Sequence, residues 1–534
     1  MPLAHPAADV WTLLADVAEE TPDAPALLHG DRTISFAELL DAASRAAQGL
    51  ADLGVSAGDR VALWLPNVPA YPILYFACVR LGAIAVAVNT RYRAVEVADI
   101  VGRSGAKILA CAPGFRRIDF LSILAGIDPA ALDKLGALVV VGEEPASVPR
   151  AIERLRRVPF DRLLSRPPHG ANNARPNMAC NIFTTSGTTS VPKFVLHRQG
   201  AIASHAQQVA RVFGFTAPDT LTLSILPLCG VYGFNQTLST LAAGKPCVLV
   251  ESYEIDEIAK LIARHRPTTM FGSDDMYARL LEEVPGDRPF PSVKWAGYAA
   301  FNAALDALPE QAEARGLHLC GLYGMSEVQA LYARQPVDAA VPRRKRGGGV
   351  PTSPLSHVRV RDPESGALLG PGQPGALECA GPSLMVGYYG NDAATAETVT
   401  ADGYVRTGDL AELDGDGGFT FLSRMGDVLR LSGFLVNPLE IETHIQKVPG
   451  ISACQTIAVP RPEGVRAAAF VILEPGAELD EAAVIAHCRQ GLANYKVPVR
   501  VFAVTEFPVT PSPNGPKIQR ARLRDMATAR LSGP

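Results

Sequence analysis

Apolar positions between residues 70 and 112 switch back and forth between two periods. "AYPILYFACVRLG" (70–82) has helical spacing, "AIAVAVN" (83–89) is a short strand-like run, "RAVEVADIVGRSG" (93–105) is helical again, and "AKILACA" (106–112) is strand-like. Short buried strands alternating with amphipathic helices predict a parallel α/β sheet. The rhythm returns between 236 and 272, with helices in "QTLSTLAAG" and "DEIAKLIARHR" and strands in "PCVLV" and "TTMFG". Two such blocks predict two α/β layers in one large domain. After about Gly347 the pattern changes. "VRVRDPESGALLGPGQPGALECAG" (358–381) and "GYVRTGDLAELDGDGGFTFLSR" (403–424) alternate strands with Gly, Asp and Pro turns, as antiparallel β structure does. From about Met425 onward "EIETHIQKV", "AAAFVIL" and "EAAVIAHCRQGLA" predict a small α+β unit, with the joint near 424–427.

The length of 534 residues exceeds what one core usually serves, in keeping with two domains. With 48% hydrophobic and 19% charged residues the chain is globular, and a net charge of −4 gives no basic field for nucleic acid. The nine cysteines are scattered with no CxxC pair, which argues against a zinc ribbon or redox dithiol and fits a reducing compartment. The first 20 residues lack a basic start and an unbroken apolar stretch, and no apolar run reaches membrane-spanning length. A soluble, cytoplasmic protein is expected. The basic "RRKR" at 343–346, beside "GGG", reads as a solvated loop.

The stretch "NIFTTSGTTSVPK" (181–193) carries only hydroxyls and one glycine from Thr184 to Ser190, closed by Lys193. The segment before it is strand-like and "VLHRQGAIASHAQQVARVF" after it can be helical. A hydroxyl-rich turn between a strand and a helix presents backbone N–H groups to an anion, and Lys193 would add a point charge. It is not a Walker loop, since GxxxxGK[ST] is absent. The residues alone fit a linker and an anion cradle equally.

"TTSGTTSVPK" resembles the phosphate-binding loop of the adenylate-forming superfamily: acyl-CoA synthetases, luciferases and peptide-synthetase adenylation domains. Further segments resemble that family in the expected order. They are "LPNVPAYPILYFACVRLGAIAVAVNTRY", "GLYGMSE" (321–327), "YVRTGD" (404–409), "SRMGDVLRLSGFLVNPLEIE" (423–442), and "NYKVPVRVFAVTEFPVT" with "NGPKIQRARLR". Agreement runs from about residue 25 to 525. The resemblance implies an α/β fold whose large N-terminal domain (1–424) has two doubly wound α/β subdomains and a β-barrel-like subdomain, followed by a small mobile α+β domain (425–534). It also implies an acyl-CoA synthetase, in which an acid and ATP give acyl-AMP and pyrophosphate, and CoA then gives acyl-CoA and AMP.

The family's residues carry over position by position. Thr184, Thr185, Ser186, Gly187, Thr188, Thr189 and Lys193 would hold the β- and γ-phosphates. Ala299, Ala300, Gly324 and Met325 would contact ATP or AMP, Tyr323 would offer a face for adenine, and Ser326 a hydroxyl for the α-phosphate. Glu327 would bind Mg²⁺ through hard oxygen. Asp409 would accept from both ribose hydroxyls, and Arg424 would contact ribose or phosphate. Lys517 would be the catalytic cation, at the junction of substrate carboxylate and α-phosphate, where two anions must meet. Cys229, Gly230, Tyr232, Gln236, Tyr298 and Leu322 would line the acyl pocket, and CoA would be the second substrate. Partners are small molecules, with no nucleic acid.

Several positions depart from the family's habit. Ser190 and Phe194 stand where glycines are common, and Pro516 precedes Lys517. Gly426 replaces the usual hinge Asp or Lys, and because glycine accepts positive φ a pivot there is expected. Cys229 and Gly230 replace an aromatic–histidine pair, opening space, whereas Tyr298 replaces a common alanine, closing it. In "FGSDDMY" (271–277), Asp274 and Asp275 are expected to sit at a helix N-terminus capped by Ser273 or Asp274. Val231 stands where amino-acid-activating relatives place an aspartate, so an amino acid is disfavoured and a hydrophobic acid, fatty or aromatic, is expected. The alternatives are an acyl-AMP ligase that loads a carrier protein and a non-catalytic nucleotide-binding relative.

Overall fold

The structure, a computed structural model, describes residues 7–143, 149–185, 192–300, 305–426, 428–431, 434–461, 464–510 and 517–532. The segment 70–111 folds as its periodicity predicts. A helix at Ala70–Leu81 ends on Gly82 at φ 71°, and the strand Ile84–Ala87 is buried on both faces. A helix at Ala94–Ser104 then ends on Gly105 at φ 61°, ahead of the strand Ile108–Cys111. Both helices stop where only glycine enters the left-handed region without strain.

These strands belong to an eight-stranded sheet. Its spatial order is Gly387–Tyr388, Phe194–Arg198, Ala179–Thr184, Ile84–Ala87, Arg60–Trp64, Ile108–Cys111, Ala137–Val140 and Arg156–Pro159. A second sheet of thirteen strands contains the parallel run Cys247–Leu249, Thr222–Ser224, Thr269–Ser273, Trp295–Ala299 and Leu319–Met325. The helix Ala70–Leu81 is apolar all round because it lies in one core with Val61 and Leu63 of the first sheet and Leu27 and Leu249 of the second.

The change of pattern after Gly347 marks no break in this second sheet. It continues through antiparallel Gln329–Arg334 and Gly348–Pro351 into Phe419–Arg424, Val405–Leu413, Gly375–Ala380 and His357–Arg361. Gly348 and Gly349 are required at the crossing. A Cβ on Gly348 would lie 2.2 Å from the Phe419 carbonyl oxygen, and one on Gly349 would lie 2.1 Å from the Arg334 backbone. The adjacent "RRKR" is the solvated segment expected only in part, with Arg343 and Arg346 exposed and Arg344 not. Arg344 is buried, donates to the Leu319 carbonyl and pairs with Glu313, while Arg343 pairs with Asp416 and Lys345 with Asp306. Ser273 does cap the helix Asp274–Glu283, accepting from the Met276 N–H.

Beyond Arg424 the chain forms a small α+β domain with its own core. Helix Pro438–Ile445 packs on the long hairpin Ile451–Arg461/Gly464–Leu473, and the helices Glu481–Gly491 and Arg520–Ser532 follow. Glu442 is fully buried there and accepts from the Thr456 N–H at 2.7 Å and from Arg520 Nη2 at 3.1 Å. Across the joint, Asn437 Nδ2 donates to the Leu422 carbonyl at 3.0 Å. Among the described residues no helix is long and apolar enough to cross a membrane. All nine cysteines are buried free thiols.

Candidate active site

The hydroxyl-rich loop joins two antiparallel strands. Ala179–Thr184 leads in, Phe194–Arg198 leads out, Thr184 pairs with Phe194, and the Thr185 N–H donates to the Lys193 carbonyl at 3.0 Å. The following helix begins only at Gln199, so the expected helix N-terminus beside the loop is replaced by a strand edge. Pairing with both 179–184 and the distant strand Gly387–Tyr388 satisfies the 194–198 backbone on both sides. Phe194, where a glycine is common, is buried beneath the Arg103 guanidinium at 4.1 Å. Ser186, Gly187, Thr188 and Thr189, with Ser190, lie outside the described residues. Thr184 at the loop's foot bonds the Tyr92 side chain, and Tyr92 neighbours Cys229. Burial pushes the Cys229 thiol up to about 12, leaving it a protonated, inert wall group.

Lys193 Nζ lies 4.6 Å from the centre of the Tyr388 ring, and the Tyr388 hydroxyl donates to Glu327 Oε1 at 2.8 Å. The loop's cation and the carboxylate thus share one aromatic spacer. Glu327 sits in a tight turn between Leu319–Met325 and Gln329–Arg334. Gly324 is obligatory in that turn, because a Cβ would lie 2.5 Å from Ala330 Cα. Gln329 and Leu331 hold φ values of 65° and 64°, a region costly for a leucine. The turn is tied down on several sides. His197 Nε2 donates to the Ser326 carbonyl at 2.7 Å, His205 Nε2 to the Ala330 carbonyl at 2.6 Å, and the Met385 N–H to the Glu327 carbonyl at 2.8 Å.

Burial holds His197 and His205 neutral, pulling both from the usual 6.5 to about 4. Between those values the unfolded chain binds protons that the folded chain does not. Stability is therefore full above about 6.5 and declines as pH falls toward about 4, each histidine contributing on the order of 3 kcal/mol across the window. The melting temperature of His205→Gln, which keeps a donor but no basic nitrogen, is expected to fall less steeply than wild type between about pH 6.5 and 4.5. Parallel pH profiles would refute this.

Tyr323, Asp409 and Arg424 meet a short way along the same sheet. The Tyr323 hydroxyl donates to Asp409 Oδ2 at 2.5 Å, and Arg424 Nη1 lies 2.9 Å from Asp409 Oδ1. Asp409 faces Arg424 directly across the antiparallel ladder; its side chain is 2% exposed against 55% for the arginine. Burial first, and Asp409 second, hold the Tyr323 phenol well above its usual value, so it stays a proton donor to the carboxylate. Its ring packs edge-on to Phe419 at 5.0 Å. Asp409 is therefore a buried carboxylate held between the Tyr323 hydroxyl and the Arg424 guanidinium.

The pocket candidates divide. Tyr232 and Leu322 join Phe271 in one apolar cluster over Gly297, where a Cβ would lie 2.1 Å from the Phe271 ring and 2.9 Å from Leu322 Cδ1. Tyr298 is not with them. It is the next residue along the strand Trp295–Ala299, so alternation turns it to the opposite face, into the core of Tyr277 and Leu308. Gln236 is fully buried, its Nε2 donating to the Leu223 carbonyl at 3.0 Å, and Cys229 packs in the core with Tyr71 and Tyr75. Gly230 is the N-cap of the helix Val231–Ala242. Ala299 ends its strand in register with Ser273, and Ala300 follows at the C-terminal edge of the parallel run, where α/β sheets bind ligands. Phe271, Gly297, His197, His205 and Tyr388 pack against or bond these candidates, and no local motif in the sequence marks them.

Gly426 is exposed, its φ is not in the left-handed region, and a Cβ there would meet nothing within 4 Å. In this domain arrangement the glycine is not sterically required. Lys517 lies on a short strand, Lys517–Ile518, paired with Val509–Thr510. Its side chain, and Pro516 before it, lie outside the described residues.

The fold thus brings Lys193 beside Glu327 through Tyr388, and Asp409 against Arg424 and Tyr323. Residues 14–389 match the family described as AMP-binding enzyme, and residues 440–513 match the AMP-binding enzyme C-terminal domain. The chain is 31% identical over 519 residues to a (7a-methyl-1,5-dioxo-octahydro-1H-inden-4-yl)propanoyl:CoA ligase of Mycobacterium tuberculosis, covering 96% of this chain and 97% of that one. It is 30% identical over 506 residues to a feruloyl-CoA synthase of an Amycolatopsis species, covering 93% and 95%. The crystal structure of ATP-bound MatB from Rhodopseudomonas palustris matches with a TM-score of 0.83 at 27% identity, over 98% of this chain and 100% of that one. The chain belongs to the AMP-binding enzyme family, the adenylate-forming acyl-CoA synthetases, and is an AMP-forming acid–CoA ligase.

Proposed function

We propose that the enzyme activates a compact, ring-bearing hydrophobic carboxylic acid as its CoA thioester. Attack of the acid's carboxylate on the α-phosphate of ATP forms the mixed anhydride acyl-AMP and expels pyrophosphate. Attack of the CoA thiol on the acyl carbon then releases AMP. Thr184, Thr185 and Lys193 frame the loop that holds the β- and γ-phosphates, and Ser326 offers a hydroxyl to the α-phosphate. Asp409, oriented by Tyr323, accepts from the ribose hydroxyls, with Arg424 beside it. Lys517 neutralises the meeting anions.

Among the described residues no cluster of three or more His, Cys, Asp or Glu forms a metal cage. One carboxylate plus substrate phosphates is the usual holding set for Mg²⁺, and Glu327 beside Lys193 fits that arrangement. The metal would neutralise charge on the leaving pyrophosphate. Arg424 and Met425 form the joint at which residues 425–534 turn between the two half-reactions, with Gly426 as pivot.

The observation that carries the choice of acid is the Tyr232–Phe271–Leu322 cluster. The Phe271 ring fills the space over Gly297 and Tyr232 meets it edge-on at 6.2 Å, giving an aromatic floor suited to a flat or cyclic body. The CoA ligases for feruloyl, naphthoate and hydroxybenzoate acids among its relatives support the same class. The test is pyrophosphate release over benzoic, cinnamic, hexadecanoic and dicarboxylic acids, with and without CoA. Ring acids are expected to lead in kcat/KM by at least about tenfold, the worth of one or two well-buried methylenes, with acyl-CoA as product. A hexadecanoate or dicarboxylate optimum would overturn the acid class. Pyrophosphate release without thioester would favour loading of a carrier protein.

A further inference from the structure

We infer that His197 is a positioning residue for adenylation: it holds the Ser326–Glu327 turn against the strand Phe194–Arg198, which carries the chain away from Lys193. This rests on the proposed role of Glu327 as the Mg²⁺ carboxylate. His197 lies on Phe194–Arg198, the strand that leaves the loop, and is fully buried. Its Nε2 faces the Ser326 carbonyl at 2.7 Å, and a carbonyl can only accept, so the neutral ring carries its proton on Nε2. Among the described residues its buried Nδ1 has no hydrogen-bond partner, so the Ser326 carbonyl orients the ring. Phe183, on the strand that enters the loop, packs edge-on against it at 5.9 Å.

The same strand reaches the next residue of the turn by a second route. Val195 pairs with Tyr388, whose hydroxyl donates to the Glu327 carboxylate at 2.8 Å and whose ring lies under Lys193. The strand Phe194–Arg198 thus holds Ser326 by its backbone oxygen and Glu327 by its carboxylate. Two residues beyond Glu327 the backbone enters the left-handed region at Gln329. A turn carrying that strain needs external ties to hold one geometry. Loss of the His197 tie lets Ser326 and Glu327 drift from the loop, and a drift of about 1 Å at such a site costs on the order of a hundredfold.

Glutamine and asparagine separate the donor from mere bulk. The glutamine amide nitrogen reaches about where Nε2 stands, whereas that of asparagine reaches only Nδ1. His197→Asn is expected to raise the Mg²⁺ concentration for half-maximal pyrophosphate release at least about tenfold, the scale for groups that orient a metal ligand. His197→Gln should stay within about threefold of wild type on that same scale. Both variants should convert supplied acyl-adenylate and CoA to thioester at wild-type rate, which also shows that they are folded. Equal Mg²⁺ dependence in the two variants, or equal loss in both half-reactions, would overturn the inference. Glu327→Gln is the control. If it leaves the Mg²⁺ dependence unchanged, the reading of Glu327 itself fails. If it shifts that dependence while His197→Asn does not, only the role of His197 fails.

Discussion

Lys517→Ala is expected to lower ATP-dependent pyrophosphate release by about 10²–10³-fold, the cost of removing one preorganised group from a site of developing charge. Formation of acyl-CoA from supplied acyl-adenylate should stay near the wild-type rate. The asymmetry follows from the charges. The first half-reaction brings a carboxylate to a phosphate, two anions, and needs a cation between them. The second brings a thiol to an activated acyl carbon, where that repulsion is gone. The strand Lys517–Ile518 is held by pairing with Val509–Thr510 and by the Gln519 N–H donating to the Pro508 carbonyl at 2.8 Å. Three residues on, Arg520 is anchored to the buried Glu442. The backbone under Lys517 is thus built into the small domain, and the substitution should act on chemistry while leaving the melting temperature unchanged. Equal loss of both half-reactions would sink the assignment.

Gly426→Pro is expected to give the opposite pattern, sparing pyrophosphate release while slowing the CoA step by about two powers of ten. Proline fixes φ and constrains the residue before it, and a misplaced ring costs about 3 kcal/mol or more, which corresponds to about a hundredfold in rate. The penalty falls on the domain arrangement that needs a different backbone at this joint. Gly426→Ala supplies the internal comparison. Alanine leaves φ unfixed and keeps the backbone N–H, and a Cβ at 426 meets nothing within 4 Å, so the alanine variant should adenylate near the wild-type rate. Single-turnover assays of the two half-reactions read both effects. Wild-type thioester formation by the proline variant would remove Gly426 from the hinge.

Much of the site was legible because its chemistry sits in contiguous motifs. The hydroxyl loop with Lys193, the "GLYGMSE" turn with Glu327, and "YVRTGD" with Asp409 each carry a backbone shape and a functional group together. What the motifs left out are contacts between distant segments. Tyr323 and Asp409 are 86 positions apart, and Tyr388 reaches Glu327 across 61. The pocket was legible only in part. Assigning Tyr298 to it required knowing which face of the strand looks inward, and a one-residue change of phase exchanges the two faces. Tyr232 and Leu322 share a cluster with Phe271, whereas Tyr298 packs on the other face with Tyr277 and Leu308.

The sequence by itself determined the α/β rhythm, the small C-terminal domain and the order of the anion-binding motifs. Helical and strand periods are local, and so are the glycines that end the helices at Gly82 and Gly105. Only the tertiary structure decided that residues 194–198 are a strand, because the hydrogen bonds that make them one come from Ala179–Thr184 across the loop and from Gly387–Tyr388, far along the chain. It alone buried Arg344 of the basic "RRKR", which is stabilised there by Glu313 and the Leu319 carbonyl, neither of them a neighbour in sequence. For the same reason it alone placed His197 against Ser326, 129 residues away, where a neutral imidazole joins the strand Phe194–Arg198 to the turn that carries Glu327.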